Sequence, residues 1–116
     1  MRYILLSADN PPTIYEAPEA IAERLWHFAD QFLEDINRLD SPFWKRVDEA
    51  GGESYDCLFY TERDFVAWLN HRPETKYFPV REAAGLPMEE REIIMDTALR
   101  ERNLPYEQQR YPWFNF

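Results

Sequence analysis

The sequence contains only two histidines, His27 and His71, that could take part in acid–base catalysis or metal binding. His27 lies on a predicted helix near Glu23 and Asp30, which suits a general base or a metal ligand. It equally suits a solvated histidine with favourable acidic neighbours, and we favour that interpretation because no matched partner geometry is visible. His71 falls at a predicted helix end, where a cation interacts favourably with the helix dipole.

The single cysteine, Cys57, lies in an apolar segment without a neighbouring base, so we predict a small core residue rather than a nucleophile. One cysteine also excludes an intramolecular disulfide and favours a reducing compartment, here the cytoplasm. Metal-binding motifs are absent, and three glycines cannot supply a phosphate-cradling loop. Adjacent carboxylates such as Glu34 and Asp35 point about 100° apart on a helix. We therefore predict no catalytic residue, no cofactor, no metal site and no enzyme activity.

Length and composition indicate what kind of domain carries any functional surface. The chain has 116 residues and a formal net charge of −9, with 45% hydrophobic and 16% aromatic residues. One globular domain over 1–116 is the natural interpretation. No apolar run approaches the roughly 20 residues of a membrane span, so no membrane contact is expected. The acidity also argues against direct binding to nucleic-acid phosphates.

Hydrophobic spacing predicts the first half of the fold. Residues 2–7 form an apolar run typical of a strand covered on both faces, and residues 13–15 suggest a short extended segment. A long helix is predicted over 18–39, with Leu39 closing its apolar face. A second, short helix is predicted over 42–50, capped by Ser41 and stopped by two glycines.

The second half alternates again between strands and helices. A strand is predicted over 55–60, and Thr61 with Asp64 then resembles a capping box that opens a third helix. A third strand over 76–80, a helical turn through Ala84 and a last helix over 87–102 follow. The fold class is thus α/β (or α+β): a small domain with a three-stranded sheet, about four helices, a long first helix and an aromatic C-terminal tail. The tail, 106–116, is expected to pack back on the domain; a dimerising or partner-binding segment is the alternative.

Acidic residues concentrate in the first half of the chain, where twelve acids against five bases give residues 1–60 a net charge of −7. On a helical wheel, acids of the first helix lie opposite its apolar face, with Trp26 at the border. Such a surface suits docking to a basic protein, although an ordinary solvated helix face has the same pattern. The predicted partner-binding residues are Glu19, Glu23, Trp26, Asp30, Glu34, Asp35, Trp44, Asp48 and Glu49.

These features favour a binding protein over a catalyst. The leading hypothesis is an acidic inhibitor, an immunity-type protein that neutralises a basic, nuclease-like toxin by masking its active surface. A phage-type blocker of a nucleic-acid-binding defence protein has the same physical requirements. A small regulatory adaptor that oligomerises through its long helix and tail is a further alternative, and a carboxylate-dependent enzyme is the least favoured.

Overall fold

The computed structural model describes residues 1–9 and 11–116, and over these residues the fold is mixed α/β with four α-helices, one four-stranded sheet and one two-stranded sheet. The strands are β1 (Arg2–Ser7), β2 (Thr13–Ala17), β3 (Trp44–Asp48), β4 (Ser54–Leu58), β5 (Arg81–Glu82) and β6 (Trp113–Asn115). The helices are α1 (Glu19–Ala22), α2 (Leu25–Ile36), α3 (Glu62–Leu69) and α4 (Met88–Glu101), with short 3₁₀ helices at Pro73–Thr75 and Tyr106–Gln108.

The four-stranded sheet has the order β5-β2-β1-β6, with β1 antiparallel to β2 and parallel to β6. Side chains of a strand alternate between its two faces. Ile4 and Leu6 accordingly pack with residues of α1, α2 and α3, whereas Leu5 packs with residues of α4. Helices therefore cover both faces of β1, which confirms the prediction from its continuous apolar run.

The larger core is built around the ring of Phe32 on α2, which is fully buried. Its ring centroid lies 5.3 to 6.3 Å from those of Phe43, Tyr60, Phe65, Trp68 and Phe116. Phe116 reaches this cluster because its backbone N–H donates to the carbonyl of Ser7 at 2.8 Å, which continues the β1–β6 pairing. The aromatic tail thus forms part of the sheet and of the core.

The long helix predicted over 18–39 is divided in the structure. Arg24 has φ −125° and ψ 30°, outside the helical region. Its N–H donates to the carbonyl of Ile21, three residues earlier, instead of to the carbonyl four residues earlier as in an α-helix. Ile21 and Leu25, on either side of the break, are both fully buried. The second piece ends at Ile36, and Leu39 is 98% exposed, so its predicted place on the apolar face is wrong.

The short helix predicted over 42–50 is also wrong, because this segment contains strand β3, which pairs with β4 in a hairpin. The two glycines lie in its turn, where Gly52 has φ +84° and the N–H of Glu49 donates to Glu53 at 2.8 Å. Pairing with β4 satisfies backbone groups that a helix would have satisfied locally. Cys57 consequently lies half-buried on this hairpin and not in the core.

The predicted three-stranded sheet is wrong, because the predicted strand over 55–60 corresponds to β4 of the separate hairpin and the third predicted strand, 76–80, is not a strand. The side-chain amide of Asn70 binds both backbone groups of Val80, donating to its carbonyl at 2.9 Å and accepting from its N–H at 2.8 Å. The neighbouring Tyr77 and Phe78 are exposed. Pairing with β2 begins only at Arg81, and the predicted helical turn through Ala84 is a simple turn.

Candidate partner-binding surface

One exposed side of α2 carries a line of acidic side chains and a tryptophan. Trp26, Asp30 and Glu34 follow one another at intervals of four residues, which places them along one side of the helix. Glu23 lies about one turn before Trp26, at the break between α1 and α2. All four side chains are exposed. We call these four residues the acidic stripe.

Among residues 1–9 and 11–116, the carboxylates of the acidic stripe have no intramolecular partner. Over the described part of the chain, Glu23, Asp30 and Glu34 form no salt bridge and accept no side-chain hydrogen bond. Their negative charges are therefore available to the cations of a partner.

Trp26 is held in place although 54% of its surface is exposed. Its ring centroid lies 5.1 Å from that of Tyr106, whose hydroxyl donates to the carbonyl of Trp113 at 3.3 Å. Burial, and to a lesser degree the nearby charge of Asp30, raise the pKa of Tyr106. Tyr106 thus borders the acidic stripe, although no local pattern in the sequence pairs it with α2.

Two of the predicted partner-binding residues serve the fold. The carboxylate of Asp35 accepts a hydrogen bond from the indole N–H of Trp68 at 2.9 Å and lies 3.4 Å from the guanidinium of Arg38. The indole N–H of Trp44 donates to the carbonyl of Arg38 at 2.8 Å. The first contact joins α2 to α3, and the second joins the segment after α2 to the start of β3, so we assign both side chains a role in stability.

The remaining predicted acids are separate from the acidic stripe or already paired. Glu19 lies 3.4 Å from Arg2, and Asp48 lies 3.6 Å from Arg46, both at exposed positions. Exposed pairs of this kind contribute little to stability. Glu49 lies at the hairpin turn, far along the chain from α2, and is exposed. The predicted residues therefore fall into two groups, one on α1, α2 and the break between them (19–35) and one on β3 and its turn (44–49).

The groups that could do chemistry are dispersed. Both His27 and His71 are exposed, the former beside the ring of Phe28 at 5.7 Å and the latter just after α3. Among residues 1–9 and 11–116, no three His, Cys, Asp or Glu side chains converge in a way that could hold a metal ion. None of the helices described is both long and apolar enough to cross a membrane. Comparison with protein-family models, curated proteins and solved structures found no match to this chain.

Proposed function

We propose that this protein is an acidic inhibitor that binds a basic protein through the acidic stripe, as an immunity-type protein masks the active surface of a nuclease-like toxin. The observation that carries the proposal is the set of unpaired carboxylates beside a tryptophan held by Tyr106. A lone row of acids is common on helices. Here the row includes an exposed, positioned indole, and tryptophan is among the side chains enriched at the energetic centres of interfaces.

Carboxylates and a tryptophan on one surface explain how inhibition would work. A nuclease cleft attracts phosphates with lysine and arginine side chains, and carboxylates that enter the cleft compete for the same cations. Because Asp30 and Glu34 form no salt bridge within residues 1–9 and 11–116, docking breaks no ion pair that is described for these two side chains. Their long-range attraction raises the association rate, while burial of Trp26 slows dissociation.

The same observation supports a second target class. A phage-type blocker of a nucleic-acid-binding defence protein would meet an equally basic surface, and only the identity of the partner separates the two. In either case we place the encounter in the cytoplasm, because the one cysteine of the chain, half-buried Cys57, suits a reducing compartment.

The test begins with capture on the immobilised full chain, cross-linking and identification of the bound protein, followed by an assay of its nuclease or nucleic-acid-binding activity. The informative variant is D30K/E34K on α2. Its matched control is E92K/D96K, which changes two exposed acids at the same spacing on α4. Each double variant shifts the formal net charge by four units, from −9 to −5.

We expect the wild-type chain and the α4 variant to inhibit the captured protein equally, and the α2 variant to inhibit it at least about tenfold less. A captured protein that has neither a basic surface nor an activity on nucleic acid contradicts the proposed target. Equal inhibition by both variants contradicts the proposed surface.

A further inference from the structure

The β3–β4 hairpin has a free backbone edge along β4. The N–H of Phe59 donates to the carbonyl of Phe43, and the N–H of Glu49 donates to that of Glu53. Directly opposed residues of an antiparallel pair alternate between hydrogen-bonded and non-bonded positions. The two bonds fix this alternation, so Lys45 exchanges hydrogen bonds with Cys57, and Val47 does so with Tyr55. The backbone groups of the intervening residues Ser54, Asp56 and Leu58 therefore point away from β3.

The edges of the larger sheet differ from this one. At the β6 edge, the backbone N–H of Trp113 donates to the side chain of Gln109, and its carbonyl accepts from Tyr106. At the other edge, β5 is only two residues long. Side-chain cover and short length are the usual ways in which sheet edges are protected from pairing. Within the described residues, no strand pairs with β4 on its outer side.

A cavity of about 360 Å³ lies where the β4 edge ends. It is lined by Ala8, Asp9, Leu58, Phe59, Tyr60 and Phe116. Three aromatic rings and one carboxylate make a chamber suited to a guanidinium or ammonium group, which both the ring faces and the acid attract.

We propose that the β4 edge binds an extended basic segment of a partner protein as an added strand, with one lysine or arginine side chain of that segment entering the Asp9 cavity. Main-chain hydrogen bonds to Ser54, Asp56 and Leu58 supply the affinity. Contacts with alternate side chains of the bound segment supply the specificity. The exposed ring of Tyr55 and the thiol of Cys57 share one face of the strand and accept apolar residues. Asp56 lies on the opposite face and accepts a cation.

Charge favours a basic partner, because residues 53–60 contain two acids, Glu53 and Asp56, and no lysine or arginine. A second copy of this segment would add the same two acids and no base to this edge. A segment that alternates basic and apolar residues matches both faces of β4. This site is distinct from the acidic stripe and does not depend on the proposed inhibitor function.

The test uses a nine-residue synthetic peptide that alternates arginine and valine, titrated into the full chain and followed by backbone amide NMR shifts. Asp56→Pro removes an outward N–H that the hairpin ladder does not use. The matched control is Arg46→Pro, the directly opposed residue, whose backbone groups point outward from the β3 edge. Asp9→Asn tests the cavity, and a peptide with glutamate in place of arginine tests the charge.

We expect shifts along β4 and at Phe59, binding weakened about tenfold by Asp56→Pro, and binding not weakened by Arg46→Pro, which also removes a cation opposite Asp56. Asp9→Asn and the glutamate peptide should each weaken binding to a similar degree. Shifts confined to the acidic stripe, or equal binding by the two proline variants, overturn the proposal. If Asp56→Pro disrupts the hairpin, Asp56→Lys takes its place, and unchanged affinity in that variant is equally contradictory.

Discussion

The indole ring of Trp26 lies 5.1 Å from the phenol ring of Tyr106, with an angle of 40° between the two planes. This contact joins α2 to the 3₁₀ helix Tyr106–Gln108, about 80 residues away in sequence, and so couples the acidic stripe to the segment that precedes β6. The orientation of the one tryptophan on the stripe therefore depends on the correct packing of the C-terminal segment.

Tyr106→Ala should destabilise the protein by about 1–2 kcal/mol, because it removes an aromatic pair and the hydrogen bond to the carbonyl of Trp113. Urea unfolding measures this change. Tyr106→Phe keeps the ring and should lose less than about 1.5 kcal/mol. Equal losses in the two variants would show that the ring contact with Trp26 contributes nothing to stability.

Asp35→Ala should cost about 1–3 kcal/mol, since it leaves the half-buried indole N–H of Trp68 without its acceptor. Asp35→Asn retains a side-chain oxygen and should recover most of that loss. Chemical denaturation of both variants tests the structural role. Partner binding by Asp35→Asn should match that of the wild type, and a loss of affinity without a loss of stability would return Asp35 to the interface.

Ile36→Ala should cost about 2–4 kcal/mol, whereas Leu39→Ala should change stability by less than about 0.5 kcal/mol. Ile36 is buried at the end of α2, while Leu39 projects into solvent three residues later. Thermal or urea unfolding of the pair checks where the helix ends. Comparable losses at the two positions would indicate that the helix continues to Leu39 and buries it.

The ion pair of Glu101 with Arg110 predicts a specific pH dependence. The backbone N–H and the guanidinium of Arg110 donate to the Glu101 carboxylate at 3.0 and 3.1 Å and hold the pKa of Glu101 below its ordinary value. A carboxyl with a lowered folded-state pKa stabilises the fold above its unfolded pKa and loses that contribution as the pH falls through the folded pKa.

Glu101→Gln should therefore lower Tm at pH 7, and its difference from the wild type should shrink once the pH falls below about 4. Thermal unfolding at a series of pH values gives the comparison. A Tm difference that grows in acid has the opposite sign and contradicts the assigned interaction.

Local patterns predicted the elements whose signals are local. β1 was predictable because a strand covered by helices on both faces is apolar at successive positions. The start of α3 was predictable because Thr61 and Asp64 form a capping box, in which the N–H of Thr61 donates to the Asp64 carboxylate at 2.8 Å. α4 lies within one residue of its expected limits.

The errors arose where long-range packing decided the conformation. Trp44 and Val47 have a spacing that fits one helix face, and only their pairing with β4 selects a strand. The local sequence around Arg24 contains no glycine or proline that would predict the helix break there. For the candidate surface, the helical pattern of the sequence places Trp26, Asp30 and Glu34 together. It does not predict that Asp35 accepts a hydrogen bond from Trp68, or that the ring of Tyr106 packs against Trp26, because both contacts join residues distant in sequence.

The association rate of the captured partner, measured by surface plasmon resonance at low and high salt, tests the acidic stripe most directly. The wild type and E92K/D96K should associate quickly at low salt and slow steeply as salt rises, because charges separated by more than about 8 Å are screened at physiological ionic strength. D30K/E34K should associate at least about tenfold more slowly at low salt, with a weak salt dependence. Identical rates and salt slopes for the two double variants, which share a formal net charge of −5, would contradict a docking role for this surface.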